Sequence, residues 1–389
     1  MPNPYTEEHD LFRKQVRAFA KNELLPNADE WENDRNFPNW VFQKAGELGI
    51  LGAHYPEEVG GGGGDYWFSV AKSEELVHCG AAGVTMALLV QSDMATPCIN
   101  ELGTKEQKEE FLKPALAGEK IAALGVSEPG AGSDVAGIRT TAILEGDEYV
   151  INGSKTYITN GTRADFVTLL VKTNPDAGYG GISIVLCPTD VKGFGVSKKL
   201  EKIGNHASDT AELFFDNVRI PKRYLLGEEN KGFYYLMQNF QSERLIGSTS
   251  ALSGAQSALE RSVAYGRDRK AFGKPIMARE VWKHTFADLY TKAQAARSLC
   301  YDTVEDFNKE RYIDESEISF ETVKKIAMCK LFVGDVTSEI MDTCLQFHGG
   351  MGYLEELWVA RAWRDQRLFR IGGGTSEVMK YMISKLMGW

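Results

Sequence analysis

A single carboxylate interrupts an otherwise apolar helical face in the second half of the chain, at Glu243. At about 100° per residue, its neighbours on one narrow stripe are all apolar or small: Leu236, Phe240, Gly247, Ala251 and Gly254. Burial on such a face raises the pKa of a carboxyl group toward the range in which it serves as a general base. The stripe therefore predicts a catalytic role for Glu243. The alternative is a solvated ion pair between Glu243 and the adjacent Arg244.

Residues 125–137 form a loop rich in glycine and hydroxyl side chains. Glycine lets the backbone approach a ligand closely, and successive backbone N–H groups bind anions. Ser133 and these N–H groups could therefore lie against a pyrophosphate, with Ser127 nearby. On its own, such a loop is equally typical of a plain turn.

A second signature, Gln-Phe-His-Gly-Gly-Met-Gly-Tyr at residues 346–353, follows far downstream, with Glu356, Arg361 and Asp365 after it at helical spacing. With both signatures in this order, the chain closely resembles the acyl-CoA dehydrogenase family over nearly its whole length. The resemblance implies FAD as cofactor, with its isoalloxazine ring against a β domain. It also implies that the adenosine end of FAD crosses a subunit interface.

The same resemblance assigns candidate flavin contacts. Ser127 and Ser133 match positions that hydrogen-bond the flavin ring edge and the pyrophosphate. Tyr157 would stack on the ring face, and Thr159 would donate to the flavin N5 region. Many relatives carry tryptophan where this chain has Tyr157, which keeps the stacking surface. The alternative for Tyr157 is an aromatic side chain packed in a β-hairpin core.

Other candidate contacts are implied to come from a neighbouring subunit. Arg269 would pair with the pyrophosphate and Phe272 would pack near the adenine, although arginine is also common at a solvated helix end. Gln346 and Gly350 belong to the same contribution, and Thr375 and Glu377 would lie near the adenosine. Sharing a cofactor requires an oligomer, and the resemblance implies a homotetramer built as a dimer of dimers.

The catalytic base occupies an unusual position in this chain. Many family members carry a glutamate before a Gly-Thr pair near the C-terminus, and Gly373 stands at that position here. Residues 240–245 resemble the isovaleryl-CoA and long-chain acyl-CoA dehydrogenases, which place the base on the earlier helix. Glu243 is then the implied base, and Phe240 and Arg244 are substrate contacts, with Arg244 orienting either the CoA end or the base. The Gly373 N–H would polarise the thioester carbonyl, and the missing side chain would leave room for a bulkier acyl group.

The leading interpretation is an FAD-dependent acyl-CoA dehydrogenase that passes electrons to an electron-transfer flavoprotein. Within the same superfamily, the alternatives are an acyl-CoA oxidase and a flavin-dependent acyl-CoA lyase that has discarded proton abstraction. A non-catalytic binding relative and a flavin-free relative resembling a monooxygenase are further alternatives. The first lacks support because the chain has no basic extension, and the second is opposed by intact flavin motifs.

Composition narrows the class of protein. The formal charge of −10 over 389 residues argues against non-specific binding to nucleic acid or anionic lipid. No stretch reaches the ~18 apolar residues of a membrane span, and the N-terminus lacks the character of a signal or transit peptide. The six cysteines contain no C-x-x-C pair, so we expect buried or free thiols in a reducing compartment, and a cytoplasmic protein.

Three regions of different texture must position these residues. Helical periodicity predicts an N-terminal helical domain at 1–120, short β-rich runs predict an antiparallel, barrel-like middle domain at 121–231, and long amphipathic segments predict a four-helix bundle at 232–389. Turns are expected at Asn152-Gly153 and at Asp216-Asn217, and a flexible loop at Gly60–Gly64. Met86, Ala87 and Val90 should line the floor of an acyl pocket.

Overall fold

The computed structural model describes residues 3–389, and its elements fall into three successive groups along the chain. Helices fill the chain as far as Leu116, strands run between Ala122 and Leu226, and long helices follow from Gly232. This is the predicted order of a helical region, a β region and a helical bundle.

The first helix shows how local sequence fixes the N-terminal group. Thr6 accepts a hydrogen bond from the His9 N–H, while the His9 ring accepts one from the Thr6 N–H, which makes a capping box. The helix buries Val16 and Phe19, whereas Leu11 is 64% exposed. The helices of this group are α1 (Glu7–Phe19), α2 (Ala28–Asp34), α3 (Trp40–Glu47), α4 (Tyr66–Leu76), α5 (Ala82–Leu89, extended by a π-helical stretch at Val90–Ala95), α6 (Pro97–Leu102), α7 (Lys105–Gln107) and α8 (Lys113–Leu116).

The five-glycine run is ordered, which corrects the prediction of a flexible loop. Each N–H from Gly60 to Gly64 donates to a backbone carbonyl between residues 52 and 57. Gly61 packs so closely that an added Cβ would lie 2.2 Å from the Tyr55 carbonyl oxygen. Glycine serves close backbone packing here, a use that composition alone does not distinguish from flexibility.

The middle group forms one sheet of eight strands in the order β6-β7-β3-β2-β4-β5-β8, with β1 paired to β4. Most pairings are antiparallel as expected, but β1–β4 and the short β2–β4 contact are parallel. The strands are β1 (Ala122–Gly125), β2 (Thr141–Glu145), β3 (Glu148–Thr159), β4 (Phe166–Lys172), β5 (Ile182–Pro188), β6 (Phe194–Lys199), β7 (Thr210–Pro221) and β8 (Leu225–Leu226).

The two predicted turns at 152–153 and 216–217 are wrong. β3 and β7 both run straight through these dipeptides, and Gly153 pairs with Phe215 across the ladder. The register shifts between Ile151 and Gly153, and Asn217 has a φ of 52°. A β-bulge uses the same positive-φ residues as a tight turn, so the sequence pattern fits both.

The C-terminal group supplies the long helices. Its buried apolar residues form one core with those of the N-terminal helices, whereas the sheet packs a separate core with α6 and α8. All six cysteines are buried and free, as expected, and no helix within residues 3–389 is long and apolar enough to cross a membrane. The elements are α9 (Gly232–Asp268), β9 (Lys270–Ala271), β10 (Lys274–Pro275), α10 (Glu280–Asn308), α11 (Phe320–Phe347), α12 (Trp358–Gln366) and α13 (Ser376–Leu386).

Candidate active site

A cavity of about 1550 Å³ lies where the three groups of elements meet. Met86 of α5, Ser127 of the loop after β1, Tyr157 of β3, Glu243 of α9 and Gly373 of the turn before α13 all line it. The chain thus brings together residues that are far apart in sequence, on elements held by two separate cores.

The glycine-rich loop leaves its binding groups free. Ser127 and Ser133 line the cavity, and their hydroxyls make no hydrogen bond to any residue that the structure describes. An added Cβ on Gly130 or Gly132 would meet nothing within 4 Å. Protein packing therefore does not require glycine at these two positions, whereas close approach by a ligand would.

A buried ion pair that the sequence analysis missed anchors this loop. Lys155 Nζ lies 2.8 Å from Glu128 Oε1, and the N–H groups of Arg139 and Thr140 also donate to Glu128. Burial opposes ionisation of Glu128, but Lys155 and these donors hold its pKa below the usual value. Burial lowers the pKa of Lys155 to about 8. Neither residue lines the cavity, so the pair anchors the loop on the side away from a bound ligand.

Tyr157 is held in a conformation that points to function. It is 71% exposed, lines the cavity and has a φ of +62°, which is uncommon for a bulky side chain. The register of β3 against β7 shifts between Lys155 and Ile158, so a bulge turns the ring outward. Thr159 lines the cavity two residues later. Core packing, the alternative for Tyr157, is therefore wrong.

The remaining predicted FAD contacts divide into two sets. Thr375 lines the cavity, and its hydroxyl accepts a hydrogen bond from the Val378 N–H at 3.3 Å, capping α13. Phe272, between β9 and β10, is 95% exposed and lies outside the cavity lining. The other residues of this surface set are also exposed and away from the cavity: Arg269, Gln346, Gly350 and Glu377.

Arg361 and Asp365, which follow the second signature, line the cavity and also join α12 to other elements. Asp365 of α12 is buried and accepts a hydrogen bond from the Asn205 N–H at 2.5 Å. Burial, and secondarily Glu32, raise the pKa of Asp365 to about 7. Arg361 pairs with Asp29 of α2 at 2.8 Å. These contacts tie α12 to the connection between β6 and β7 and to the N-terminal helices.

Glu243 faces the cavity together with Phe240 and Arg244. Burial raises the pKa of Glu243 above its usual value, while Arg244 and Lys330 oppose that rise. Within the described residues, nothing donates a hydrogen bond to its carboxylate and no cation lies in salt-bridge range. The solvated pair with Arg244 is not formed. Ser242, the residue before Glu243, is held by α4, because the Tyr66 hydroxyl donates to the Ser242 carbonyl oxygen at 3.1 Å.

Gly373 lies directly beside this carboxylate. A Cβ added at Gly373 would stand 3.1 Å from Glu243 Oε1 and 3.4 Å from Lys330 Cε, and the φ of +65° disfavours any side chain. Arg244 Nε donates to the Gly373 carbonyl oxygen at 3.1 Å. In the part of the chain that the structure describes, the Gly373 N–H has no acceptor. It is thus available to a ligand.

Lys330 was missed by the sequence analysis. It lies on α11, is 4% exposed, and donates from Nζ to the Phe369 carbonyl oxygen at 2.9 Å. The signal that identified Glu243 was present here too, because Lys330 is a charged residue between the buried Ile326 and Val333 at helical spacing. Searching each helix for a lone charge on an apolar stripe would have found it.

The expected pocket floor is present only in part. Met86 and Val90 line the cavity, but Ala87 is not among the lining residues. Ala87 is fully buried, and its carbonyl accepts a hydrogen bond from Asn160 Nδ2 at 3.1 Å. Ala87 therefore packs against the sheet, which corrects its assignment to the pocket.

The cavity fits a flavin by several independent features. It offers unpaired hydroxyls, an open glycine-rich loop and an exposed aromatic ring on a strained backbone. No cluster of three or more histidine, cysteine or acidic residues that could hold a metal occurs between residues 3 and 389. The donors present therefore suit an aromatic, anionic cofactor.

Comparison with known proteins shows the family. The family models for the N-terminal, middle and C-terminal domains of acyl-CoA dehydrogenase match residues 6–119, 123–218 and 230–388. The rat long-chain specific acyl-CoA dehydrogenase of mitochondria is 39% identical, covering 98% of this chain and 86% of that protein. The chain belongs to the acyl-CoA dehydrogenase family, whose members depend on FAD, and the predicted fold class is confirmed.

Two solved structures bear on ligands and partners. An acyl-CoA dehydrogenase from Bacillus anthracis, complexed with FAD, has a TM-score of 0.93 and 30% identity, covering 100% of this chain and 69% of that one. A chain in a structure of the electron transferring flavoprotein of Acidaminococcus fermentans has a TM-score of 0.93 and 32% identity, covering 100% of this chain and 99% of that one. The predictions of family, enzyme class and FAD as cofactor are therefore confirmed.

Proposed function

We propose that this chain oxidises an acyl-CoA thioester to its trans-2-enoyl product, with Glu243 as the base that takes the α-proton. One observation carries the proposal. The Glu243 carboxylate faces the cavity beside the free Gly373 N–H, and no described residue donates a hydrogen bond to it. When bound, FAD supplies the oxidant that accepts the β-hydride. Every other part of the reaction falls to side chains and backbone groups of this chain.

Removal of the α-proton needs a base and a polarised carbonyl. A carboxyl group whose pKa is raised by burial is a stronger proton acceptor than one in water, and that is the direction found for Glu243. The Gly373 N–H can donate to the thioester oxygen as negative charge develops there. Arg244 holds the carbonyl of the same residue through its Nε, and its guanidinium carbon lies 5.6 Å from the Phe240 ring centroid.

The chain would hold FAD with two groups of residues. Ser127, Ser133, Tyr157 and Thr159 offer free hydroxyls and a ring inside the cavity, and Thr375 lies at its edge. The exposed set would reach a neighbouring subunit's cofactor in a homotetramer: Arg269, Phe272, Gln346, Gly350 and Glu377. The 95% exposure of Phe272 supports this arrangement, because the ring is accessible to a neighbouring subunit.

An electron-transfer flavoprotein is the proposed acceptor, supported by the similarity to a chain in such a structure. We place the domain boundaries after residues 120 and 231, where the secondary structure changes type. A cytoplasmic location is proposed from the six free buried thiols, which suit a reducing compartment.

Anaerobic titration with a panel of acyl-CoAs, followed by flavin absorbance, tests this function. Saturated thioesters should bleach the flavin, and an electron-transfer flavoprotein should restore its colour faster than oxygen does. Faster recovery with oxygen would identify an oxidase. Failure of every saturated acyl-CoA to bleach a protein with full FAD content would contradict dehydrogenation and favour the lyase or a binding protein.

A further inference from the structure

A second buried ionisable side chain faces the proposed base. Lys330 lines the cavity, and its Nζ lies 4.8 Å from the centroid of the Phe369 ring. Its bond to the Phe369 carbonyl is the only hydrogen bond that it makes within residues 3–389, although an ammonium group has three donors. Burying a cation with so few partners is costly, so its place here calls for a function.

Lys330 and Glu243 flank one point in space. The Cβ position of residue 373 lies 3.4 Å from Lys330 Cε and 3.1 Å from Glu243 Oε1. The ammonium arm from α11 and the carboxylate from α9 therefore approach the same position from two helices. Together with Arg244, the positive charge of Lys330 favours the ionised form of Glu243 and so opposes the rise of its pKa on burial.

Two other cations of this region each make a contact of their own, although Nη1 of Arg244 is buried without a partner among residues 3–389. Arg244, its neighbour on α9, is the second cation that acts on Glu243, and its Nε is bound to the Gly373 carbonyl. Arg370, on the turn before α13, points to Asp335 of α11 at 3.1 Å. From α4, Tyr66 reaches Ser242. Lys330 is thus the cation from another helix that acts on the base.

We infer that Lys330 is a positioning residue whose positive charge keeps the Glu243 carboxylate ionised, ready to accept the α-proton. The inference rests on the proposed role of Glu243. Lys330 acts on the base and does not touch the thioester. Burial, and secondarily Arg244, lower the pKa of Lys330 to about 8, so it carries its charge in neutral solution. Because it also flanks residue 373, it would support a carboxylate placed at either position.

Three variants separate charge from packing. Lys330→Gln can still donate to the Phe369 carbonyl but has no charge, and Lys330→Met is a second neutral variant with similar length. Lys330→Arg keeps the charge. Lys324→Gln is the matched control, because it removes a lysine from the same helix that pairs with Glu321 at 2.6 Å at the surface.

Proton abstraction can be read apart from hydride transfer. A 3-thia-acyl-CoA carries sulfur in place of the β-carbon, so it can lose an α-proton but has no β-hydride to give. Each FAD-loaded variant is incubated with this thioester in D2O at a series of pH values, and mass spectrometry measures the rate of α-deuteration. The fall of that rate at low pH is the acid limb, which reports protonation of the base. Flavin content by absorbance reports whether the site is intact.

The neutral variants should shift this acid limb upward by about one pH unit, so that exchange below the limb falls about tenfold. Lys330→Arg and Lys324→Gln should keep the limb of the parent protein. An unmoved limb in a neutral variant with full FAD overturns the inference. Glu243→Gln separates the two proposals. Exchange at the parent rate in that variant refutes Glu243 as the base. Loss of exchange in Glu243→Gln, together with an unmoved acid limb in the neutral Lys330 variants, refutes only the role of Lys330.

Discussion

The carboxylate oxygen Oε1 of Glu243 lies 3.1 Å from the point that a Cβ atom on residue 373 would occupy. Two segments separated by most of the C-terminal bundle therefore reach the same place in the cavity. A side chain at position 373 would press on the Glu243 carboxylate, so glycine at one position and glutamate at the other depend on each other.

Replacing Glu243 with glutamine should stop catalysis without emptying the site. Glutamine keeps the shape and hydrogen-bonding capacity but has no basicity, and general-base contributions are typically ~10²–10⁴-fold. Flavin bleaching by a saturated acyl-CoA should slow by at least that range in a stopped-flow measurement, while acyl-CoA still binds. Glu260→Gln, an exposed change on the same helix, is the control. Bleaching at the parent rate would show that another group takes the proton.

The pH dependence of both activity and stability should follow from the raised pKa of Glu243. Activity should fall as pH drops through that pKa, because the protonated carboxyl cannot accept the α-proton. Since the folded protein holds this proton more tightly than the unfolded chain, the stability contributed by Glu243 falls as pH rises from its unfolded pKa through its folded one. Glu243→Gln should therefore melt at a higher temperature than the parent protein above that window, measured by calorimetry. Equal melting temperatures at every pH would contradict burial of the charge.

Moving the carboxylate should restore part of the rate. In the double change Glu243→Gly with Gly373→Glu, the new side chain no longer meets the old one, although a φ of +65° costs a non-glycine residue about 1–3 kcal/mol. Rates on straight-chain acyl-CoAs should exceed those of Glu243→Gly alone, while branched substrates lose activity to steric clash. Gly373→Glu alone should be inactive and less stable. If the double variant is no faster than Glu243→Gly, the two positions do not share one location.

Removing the Tyr157 ring should change the flavin and leave the fold intact. The side chain is 71% exposed, so little core is lost. Tyr157→Ala should alter the flavin absorption spectrum and slow reoxidation by the electron-transfer flavoprotein, whereas Tyr157→Trp should behave like the parent. Tyr179→Ala, at another exposed aromatic residue, should leave the spectrum unchanged. A parent-like spectrum and reoxidation rate in Tyr157→Ala would place the flavin elsewhere.

Arg269→Ala should weaken both FAD retention and subunit association. Arg269 is exposed and outside the cavity of its own chain, so its proposed pyrophosphate contact lies in a neighbour. The ratio of flavin to protein absorbance and the sedimentation coefficient should both fall, while Arg267→Ala changes neither. Full FAD content with an unchanged oligomer would refute the contact between subunits.

Periodicity predicted the long helices and the place of Glu243 because burial imposes a regular pattern on a helix. The order of the elements followed for the same reason, although the boundaries after residues 120 and 231 stay predictions. Spacing alone carried less information for the sheet. The dipeptide Asn152-Gly153 permits a positive φ, and only the partner strand decides whether that makes a turn or a bulge.

Residues that act through distant partners were harder to find. In the sequence, Glu128 is an acidic loop residue with no distinguishing neighbour. Only the fold brings Lys155 of β3 to 2.8 Å from it. Ala87 has the right helix but faces Asn160 and not the cavity, since a rotation of about 100° separates it from Met86. Such assignments depend on how elements rotate against one another, which a single sequence does not contain.

The contact between Tyr66 and Ser242 bears on how the enzyme assembles. Tyr66 belongs to α4 and is almost wholly buried, and its backbone N–H donates a hydrogen bond to Asn308 Oδ1 at the end of α10. It thus bridges the bundle and the residue immediately before Glu243. During synthesis α4 leaves the ribosome before α9, so Tyr66 is already present when the segment that carries Glu243 is made. A fragment beginning at the β region would lack that partner, and its Glu243 would be left without a support that the intact enzyme has.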